Sequence, residues 1–345
     1  MKIVFASYEY PPARFGGSAL SVKLLAEGMA RRGHRVTVVT PRWNADDVPV
    51  EHVQVKEPKI VGSAFSSMGS FSFTEESDYV HVERYPRTRG LGWWSCYRML
   101  CLVGRNADVL HAQDRRMFWP TWLAAKRLRK PMALTLRDVG LLCPVAVCLL
   151  THKEIPRDCS ARKLWRECAP DYLARYHLRR VGWRDWAVRT RLVLVAKYLG
   201  LRFTRWVARG VRLGCVSVGL WRVCAAFLPR RTYIVPSIAW APSAVSIRPE
   251  DPWVLLAGKQ SPGKGFDVYL AAEALYSGPP LMFMEASGHS QEWLAGLMSG
   301  AVAVVVPSRN CDALPRVALE AAYLGVPVIG SDRGGLPEIT PAIVP

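Results

Sequence analysis

Two lysines in the last third of the chain have the spacing to hold a phosphorylated ligand. Lys259 and Lys264 lie five residues apart in the segment KQSPGKG, just before a predicted helix from about Phe266 to Leu275. The first backbone N–H groups of a helix have no partner within it, and cations beside them strengthen their attraction for an anion. The segment therefore predicts a diphosphate site, with two ordinary surface lysines as the alternative.

A later segment places two carboxylates around another predicted helix start. The apolar run from Ala301 to Val306 predicts a buried parallel strand. Asp312 is expected to cap the following helix, whose N-terminus near Leu314 and Pro315 would favour an anion. Asp312 and Glu320 are eight residues apart, which corresponds to about 12 Å along a helix axis. Glycosidase carboxylate pairs lie about 5–9.5 Å apart, so these two would contact different ends of one extended ligand.

A glycine pair, Gly16 and Gly17, follows the first predicted strand, from Lys2 to Ser7, and precedes a helix that Ser18 is expected to cap. Glycines at a strand-to-helix turn let the backbone approach a ligand closely. Taken alone, two glycines are usually only a turn. The segment lacks the G-x-G-x-x-G pattern, so no motif supports a nicotinamide cofactor.

Arg137 and Asp138 follow the predicted strand from Pro131 to Leu136. Open α/β sheets bind ligands at the carboxyl ends of their strands. An arginine cannot act as a general base, but it can hold a phosphate or a carboxylate-bearing acceptor. A surface arginine after a strand is the alternative interpretation.

A cysteine cluster follows in a C-x4-C-x10-C-x8-C arrangement, formed by Cys143, Cys148, Cys159 and Cys168. Four thiolates can bind zinc in a tetrahedral site. The spacing lacks the C-x2-C pairs of common zinc sites. We therefore predict no metal or other cofactor and keep zinc at this cluster as the alternative.

The whole chain has 345 residues, half of them hydrophobic, which is enough for two cores. It contains no run of eighteen uncharged apolar residues, and its N-terminus MKIVFASYEYPP lacks the form of a secretory signal. These features predict a cytoplasmic protein without a membrane-spanning helix.

The formal net charge of +18 is unevenly distributed. Between Arg175 and Arg231 many cations and several aromatic residues accompany a single acid, Asp185. Such a stretch suits the headgroups of an anionic membrane, which would place the protein at the inner face of the cytoplasmic membrane. Solvated helix faces are an equally weighted alternative, and nucleic acid is a third one that rests on charge alone.

The alternation of predicted strands and helices indicates an α/β protein with two domains. The proline-rich segment 239–252 is the best linker candidate. We therefore predict an N-terminal domain over residues 1–238 and a C-terminal domain over residues 253–345, each a Rossmann-like parallel sheet.

The stretch from Ala301 to Ile339 and the N-terminal pattern YPP…GG…GH.V together resemble glycosyltransferase family 4, a group with the GT-B fold. The residues of the C-terminal stretch that match the family pattern are Pro307, Ser308, Pro315, Glu320, Ala321, Gly325, Pro327, Val328, Gly334, Gly335 and Glu338. Four residues depart from the family pattern, since Asp312 replaces a Glu, Arg137 a His, Lys259 an Arg and Ser237 an Asn.

The resemblance implies two Rossmann-like domains facing across a cleft, and a retaining, metal-independent transfer from a nucleotide-diphosphate sugar to a glycan or lipid-linked acceptor, as in cell envelope glycan biosynthesis. Lys259 and Lys264 would neutralise the departing diphosphate, together with the helix N-terminus at Leu314 and Pro315. Glu320 would bind the ribose hydroxyls.

The remaining site residues also take their roles from the resemblance. Asp312 and the pair Arg137-Asp138 would lie near the donor sugar, and Gly16 and Gly17 would cover the diphosphate.

The second domain is shorter than the family pattern. Between Lys264 and Asp312 one strand and one helix are predicted where the family has two more elements, and the sequence ends at Pro345. A fragment, a shortened enzyme and a decayed enzyme remain open. The alternative function is therefore a catalytically inactive nucleotide-binding or membrane-surface protein.

Overall fold

The computed structural model describes residues 1–12, 17–42, 80–86, 92–144, 160–171, 183–225, 232–243, 246, 251–258, 260–286 and 291–339. Its first sheet contains the strands β1 (Lys2–Ala6), β2 (Arg35–Pro41), β3 (Val80–Tyr85), β4 (Val109–Ala112), β5 (Met132–Leu136), β6 (Arg212–Cys215) and β7 (Thr232–Ile234). The seven strands have the order β3-β2-β1-β4-β5-β6-β7. Neighbours from β3 through β6 run parallel.

Strand β1 lies at the centre of this sheet, between β2 and β4. Its residues Ile3, Val4 and Phe5 are all buried, as expected for a parallel strand covered on both faces. The chain moves outward from β1 in one direction through β2 and β3 and in the other through β4 and β5. The carboxyl ends of β1 and β4 therefore form the topological switch point where such sheets bind ligands.

The helices of this part of the chain are α1 (Gly17–Arg31), α2 (Gly92–Val103), α3 (Phe118–Leu128), α4 (Ala161–Lys163), α5 (Trp183–Ala208) and α6 (Val218–Cys224). Helix α5 lies within the cation-rich stretch between Arg175 and Arg231. Its Leu194 and Tyr198 pack against Leu164 and Ala169. Within the described parts of the chain, no helix has both the length and the apolar character needed to cross a membrane.

The second sheet contains the strands β8 (Trp253–Ala257), β9 (Met282–Ala286), β10 (Ala303–Val306) and β11 (Val328–Gly330). They have the order β11-β10-β8-β9, and all pairs are parallel. The helices between them are α7 (Phe266–Leu275), α8 (Gln291–Gly300) and α9 (Arg316–Tyr323). The core between sheet and helices contains Leu255, Leu297, Val304 and Ala318.

Two parallel α/β sheets confirm the predicted fold class, and the second sheet is the smaller one. The chain forms two compact units, the first comprising 1–137, 211–216 and 235–238, the second comprising 138–210, 217–234 and 239–345. The domain boundaries predicted from the sequence remain a prediction.

Both helix caps predicted from the sequence are wrong. Helix α1 begins at Gly17, so Ser18 lies inside its first turn, where its hydroxyl donates to Oε2 of Glu9. Helix α9 begins only at Arg316, with Pro315 at the cap position. The carboxylate of Asp312 is instead engaged by a distant lysine, as described below. The helical distance between Asp312 and Glu320 therefore does not apply either.

Candidate active site

Three loops of the second unit meet at the carboxyl edge of the second sheet. They follow β8, β10 and β11 and comprise residues 260–265, 307–315 and 331–336. Strand β10 lies between β8 and β11, so the loop after it has the other two as neighbours. This edge is where parallel α/β sheets bind ligands.

Glycines allow the three backbones to approach one another closely. Gly265 has a φ of 73°, and a Cβ added there would lie 1.9 Å from the carbonyl oxygen of Pro307. Gly334 has a φ of 62°, and its Cβ would lie 2.0 Å from the carbonyl oxygen of Asp312. Both positions combine a left-handed backbone with a contact that no side chain tolerates. The glycines thus hold the loop after β10 between its two neighbours.

Hydrogen bonds fix the same loop from both sides. The backbone N–H groups of Arg309 and Asn310 both donate to the carbonyl oxygen of Gly263, at 3.0 Å each. On the other side, the hydroxyl of Ser331 donates to the carbonyl oxygen of Ser308 at 2.6 Å. The loop is therefore rigidly positioned by its neighbours.

Lys264 and Asp312, which the sequence singled out separately, form one ion pair. Lys264 Nζ donates to Asp312 Oδ1 at 2.7 Å and to Oδ2 at 2.8 Å. The buried hydroxyl of Ser308 also donates to Oδ2. The Lys264 side chain is 39% exposed and that of Asp312 17%. A ligand at this edge can therefore reach the lysine.

The N-terminus of helix α9 lies at the end of this loop. Pro315 occupies the cap position with extended backbone, and no side chain of the described residues caps the helix. The leading N–H groups of an uncapped helix attract anions. Leu314 and Pro315 thus precede the helix start, close to where the sequence placed it.

Glu320 is held by an arginine one helical turn earlier. Its Oε1 accepts from Arg316 Nε at 3.2 Å and from Nη2 at 3.0 Å, and the two side chains are 13% and 8% exposed. Arg316 Nη2 also donates to the carbonyl oxygen of Trp240. Burial raises the pKa of Glu320, and the Arg316 charge opposes this shift. Among the described residues nothing donates to Oε2, which remains available for a ligand hydroxyl.

Arg137, in the first unit, is fixed by Gln113, which follows β4. Arg137 Nη2 donates to the side-chain oxygen of Gln113 at 2.8 Å, and Nε donates to its carbonyl oxygen at 3.2 Å. Gln113 is fully buried. The guanidinium is therefore held at the carboxyl end of β5.

Asp138 has a local structural role. In the second unit, its Oδ1 accepts from the backbone N–H of Gly140 at 2.7 Å and caps the turn Val139–Leu141. A catalytic role for Asp138 remains a prediction.

Two residues that were predicted to contact the sugar donor, and two of the four clustered cysteines, lie outside the part of the chain that the structure describes. Lys259 and Gly16 lie outside the described residues, whereas Gly17 is the first residue of α1. Cys148 and Cys159 also lie outside them. In the part of the chain that is described, no group of three or more His, Cys, Asp or Glu side chains is arranged to hold a metal ion. The zinc alternative thus stays untested.

Residues at the switch point of the first sheet were not identified from the sequence. Glu9 Oε1 accepts from Arg116 Nη2 at 3.0 Å, and the Arg116 guanidinium lies 4.0 Å from the centre of the Tyr8 ring. Asp114 accepts from the backbone N–H of Tyr8 at 2.9 Å, and burial raises its pKa. In the sequence, only their position directly after the strands β1 and β4 could have indicated that these residues belong to a site.

Glu338 matches the family pattern but had no assigned role. Within the second unit, its two carboxylate oxygens accept from the first N–H groups of helix α6, from Val218 at 3.0 Å and from Gly219 at 2.6 Å. A carboxylate at a helix N-terminus is favourable. A Cβ at Gly219 would lie 1.7 Å from the carbonyl oxygen of Gly334, so this contact requires a glycine.

Two separate segments of the chain match known protein families. Residues 15–193, about half of the chain, match Glycosyltransferase Family 4. Residues 284–341 match Glycosyl transferases group 1. An uncharacterized glycosyltransferase of Methanocaldococcus jannaschii is 52% identical over 40 residues, which span 12% of this chain and only 10% of that protein.

Solved structures share the fold at low identity. HepE from Anabaena, in complex with UDP-glucose, has a TM-score of 0.59 at 14% identity, covering 98% of this chain and 82% of HepE. Sucrose-phosphate synthase from Thermosynechococcus elongatus has a TM-score of 0.61 at 16% identity, covering 97% and 82%. Starch synthase IV from Arabidopsis thaliana, bound to ADP and acarbose, has a TM-score of 0.58 at 13% identity, covering 98% and 84%. The chain has the GT-B fold and belongs to Glycosyltransferase Family 4.

Proposed function

We propose that this glycosyltransferase transfers a sugar from a nucleotide-diphosphate sugar to a glycan or lipid-linked acceptor, with retention of the anomeric configuration. The observation that carries the proposal is the Lys264–Asp312 pair at the convergence of three loops. It combines a reachable cation with the uncapped start of helix α9. Both features attract the negative charge that a departing diphosphate develops.

Lys264 is assigned to the leaving group. When the bond between the anomeric carbon and the diphosphate oxygen breaks, that oxygen gains negative charge and the sugar passes through an oxocarbenium-like state. An ammonium has three N–H donors, so Lys264 can contact a phosphate oxygen while it still contacts Asp312. Stabilising charge that develops in the transition state is the largest single contribution in many enzymes. Lys259 is proposed to assist.

Glu320 is assigned to the ribose. Arg316 holds one carboxylate oxygen and leaves Oε2 for the ribose hydroxyls. The proposal of a nucleotide-sugar donor is supported by HepE, whose solved complex contains UDP-glucose.

The proposal assigns no general base to the protein. Arg137 stays protonated and cannot accept a proton. We propose that the acceptor hydroxyl transfers its proton to an oxygen of the departing diphosphate, while the acceptor oxygen bonds to the anomeric carbon. Arg137 would then orient the acceptor or a phosphate. Asp312 would lie near the donor sugar, and Gly17 would begin the helix beside the diphosphate.

The second candidate function is nucleotide-sugar binding without transfer. It is favoured by the same ion pair, because Asp312 already neutralises the lysine that would act on the leaving group. For the active form we propose an acceptor of cell envelope glycan biosynthesis and a location at the inner face of the cytoplasmic membrane.

One experiment separates the two candidates. The protein is incubated with a panel of nucleotide sugars, with and without a lipid acceptor, and released nucleoside diphosphate is measured. Acceptor-dependent release supports transfer. Saturable binding of a nucleotide sugar without release supports the second candidate. If nothing is released or bound, both proposals are overturned.

A further inference from the structure

Helix α5 carries an apolar stripe on its solvent-exposed side. We define this exposed stripe as the residues Val188, Leu192, Leu199, Phe203 and Trp206, each between 49% and 65% exposed. Their spacings of 4, 7, 4 and 3 residues place them on one face of an α-helix. The rings of Phe203 and Trp206 stack with their centres 5.8 Å apart. The exposed stripe therefore follows one side of the helix from Val188 to Trp206.

The stripe is not the face by which the helix packs onto the protein. That face contains Leu194 and Tyr198, which are buried against Leu164 and Ala169. The helix thus has two apolar faces, one already covered and one exposed. A large exposed apolar patch on a folded protein marks an interaction surface.

Exposed arginines lie on both sides of the stripe. With about 100° of rotation per residue, Arg202 lies along one flank and Arg189 along the other, Arg209 follows directly after the last helical residue, and all three are exposed. No acidic residue occurs between Asp185 and Glu250. The surface therefore combines an apolar centre with cationic borders.

We propose that this surface docks the protein on an anionic phospholipid bilayer. The helix would lie in the plane of the membrane, with the exposed stripe among the first acyl carbons and the arginines at the lipid phosphates. Aromatic rings favour this depth, and long cationic side chains reach outward from it to the headgroups. The inference rests on the membrane location proposed above and names the surface that would mediate it, but it does not depend on the transfer reaction.

The distribution of charge and apolar side chains favours an anionic bilayer over a second copy of the chain or a nucleic acid. A second copy of the helix would bring arginines against arginines, and the stripe offers no carboxylate to pair with them. Nucleic acid would satisfy the arginines but leave the apolar stripe in water. An anionic bilayer satisfies both parts of the surface.

The test is flotation of the full chain with vesicles of phosphatidylcholine alone, and with vesicles that also contain phosphatidylglycerol. The variant Phe203→Ser/Trp206→Ser removes the most exposed end of the stripe without touching the buried face. The variant Arg202→Gln/Arg209→Gln removes two of these arginines. Leu275→Ser, at an 83% exposed leucine on helix α7, and Arg127→Gln, at an exposed arginine on helix α3, are the matched controls.

We expect the wild-type protein to float with the phosphatidylglycerol vesicles and to stay with the soluble fraction when phosphatidylcholine is used alone. The Phe203→Ser/Trp206→Ser variant should lose about tenfold or more in vesicle affinity, and the arginine variant about fivefold per charge. The controls should bind like wild type. Wild-type protein that does not float, or variants that float equally well, would overturn the proposal. So would a wild-type dimer that Phe203→Ser/Trp206→Ser converts to a monomer, because the stripe would then bind a second copy. Since no nucleotide sugar is present, the result is separate from the test of transfer.

Discussion

Lys264 donates hydrogen bonds to both carboxylate oxygens of Asp312, at 2.7 and 2.8 Å, across 48 residues of sequence. The lysine that would receive the leaving diphosphate is therefore already paired with a carboxylate. The proposed role of one residue cannot be separated from that of the other, because a change in Asp312 also removes or alters the partner of Lys264.

Lengthening the carboxylate should preserve the pair. We expect Asp312→Glu to retain or raise turnover with the donor, since the added methylene keeps the charge and extends its reach toward the donor sugar. Asp312→Asn is the control that keeps the size and removes the charge. Turnover is measured as release of nucleoside diphosphate. Complete loss in Asp312→Glu would mean that the shorter side chain belongs to a different geometry.

The close approach of the loops should make Gly265 intolerant of any side chain. Gly265 and Gly325 have nearly equal φ angles, 73° and 75°, but only Gly265 has a neighbour within 4 Å of an added Cβ. Gly325→Ala should lower the free energy of unfolding by about 1–2 kcal/mol, because of the left-handed backbone alone. Gly265→Ala should cost a further 1–3 kcal/mol or so, because the loop after β10 must move. Denaturant unfolding of both variants measures the difference. Equal losses of stability would show that the contact with Pro307 does not restrict the residue at position 265.

The buried His111 should make the protein less stable in mild acid. Burial, assisted by the Arg137 charge, lowers the pKa of His111 to about 4. The unfolded chain binds the proton near pH 6.5 or so, so stability is complete above that pH and falls as the pH decreases toward about 4. The free energy of unfolding falls by about 3 kcal/mol over this range, at roughly 1.4 kcal/mol per pKa unit.

His111→Gln is the comparison, because glutamine can keep the hydrogen bond to Thr135, 2.8 Å in the wild type, without titrating. Unfolding free energies at several pH values should fall less steeply in the variant. Parallel pH profiles for the two proteins would rule out His111 as the cause.

Glu320 should set the affinity for the nucleotide. Hydrogen bonds to a charged group are worth about 1.5–3 kcal/mol, so Glu320→Gln should weaken binding of a nucleoside diphosphate about tenfold to a hundredfold. Burial raises the pKa of Glu320, so wild-type affinity should decline as the pH falls through that raised pKa, whereas the variant should lack this dependence. Glu273→Gln, an exposed carboxylate on helix α7, is the control. Calorimetric titration measures both effects, and a variant with wild-type affinity would exclude contact with the ribose.

Local sequence patterns were sufficient to predict the fold class and most of its elements, but not strand β3 or helix α2. The apolar run before Pro307 predicted β10, and the bounds predicted for helix α7 agree with the structure at both ends. These elements depend on the periodicity of neighbouring residues, which the sequence shows directly.

The two capping predictions failed because side chains from distant segments decide them. Asp312 is engaged by Lys264 and Ser18 by Glu9. For the same reason the sequence identified Lys264, Asp312 and Glu320 as separate candidates but not the pairing between the first two. The contact of Glu9 with Arg116 was missed because neither residue belongs to a motif, and only the sheet order brings them together.

The most direct test of the account is turnover of a nucleotide-sugar donor by Lys264→Ala, with Lys126→Ala, at an exposed lysine on helix α3, as the control. Loss of a charged contact to the transition state costs about 2.7–4 kcal/mol in comparable sites. We therefore predict that Lys264→Ala lowers kcat by a factor of about 10²–10³, while Lys126→Ala keeps the wild-type rate. Unchanged turnover in Lys264→Ala would contradict the role of this lysine in stabilising the leaving diphosphate.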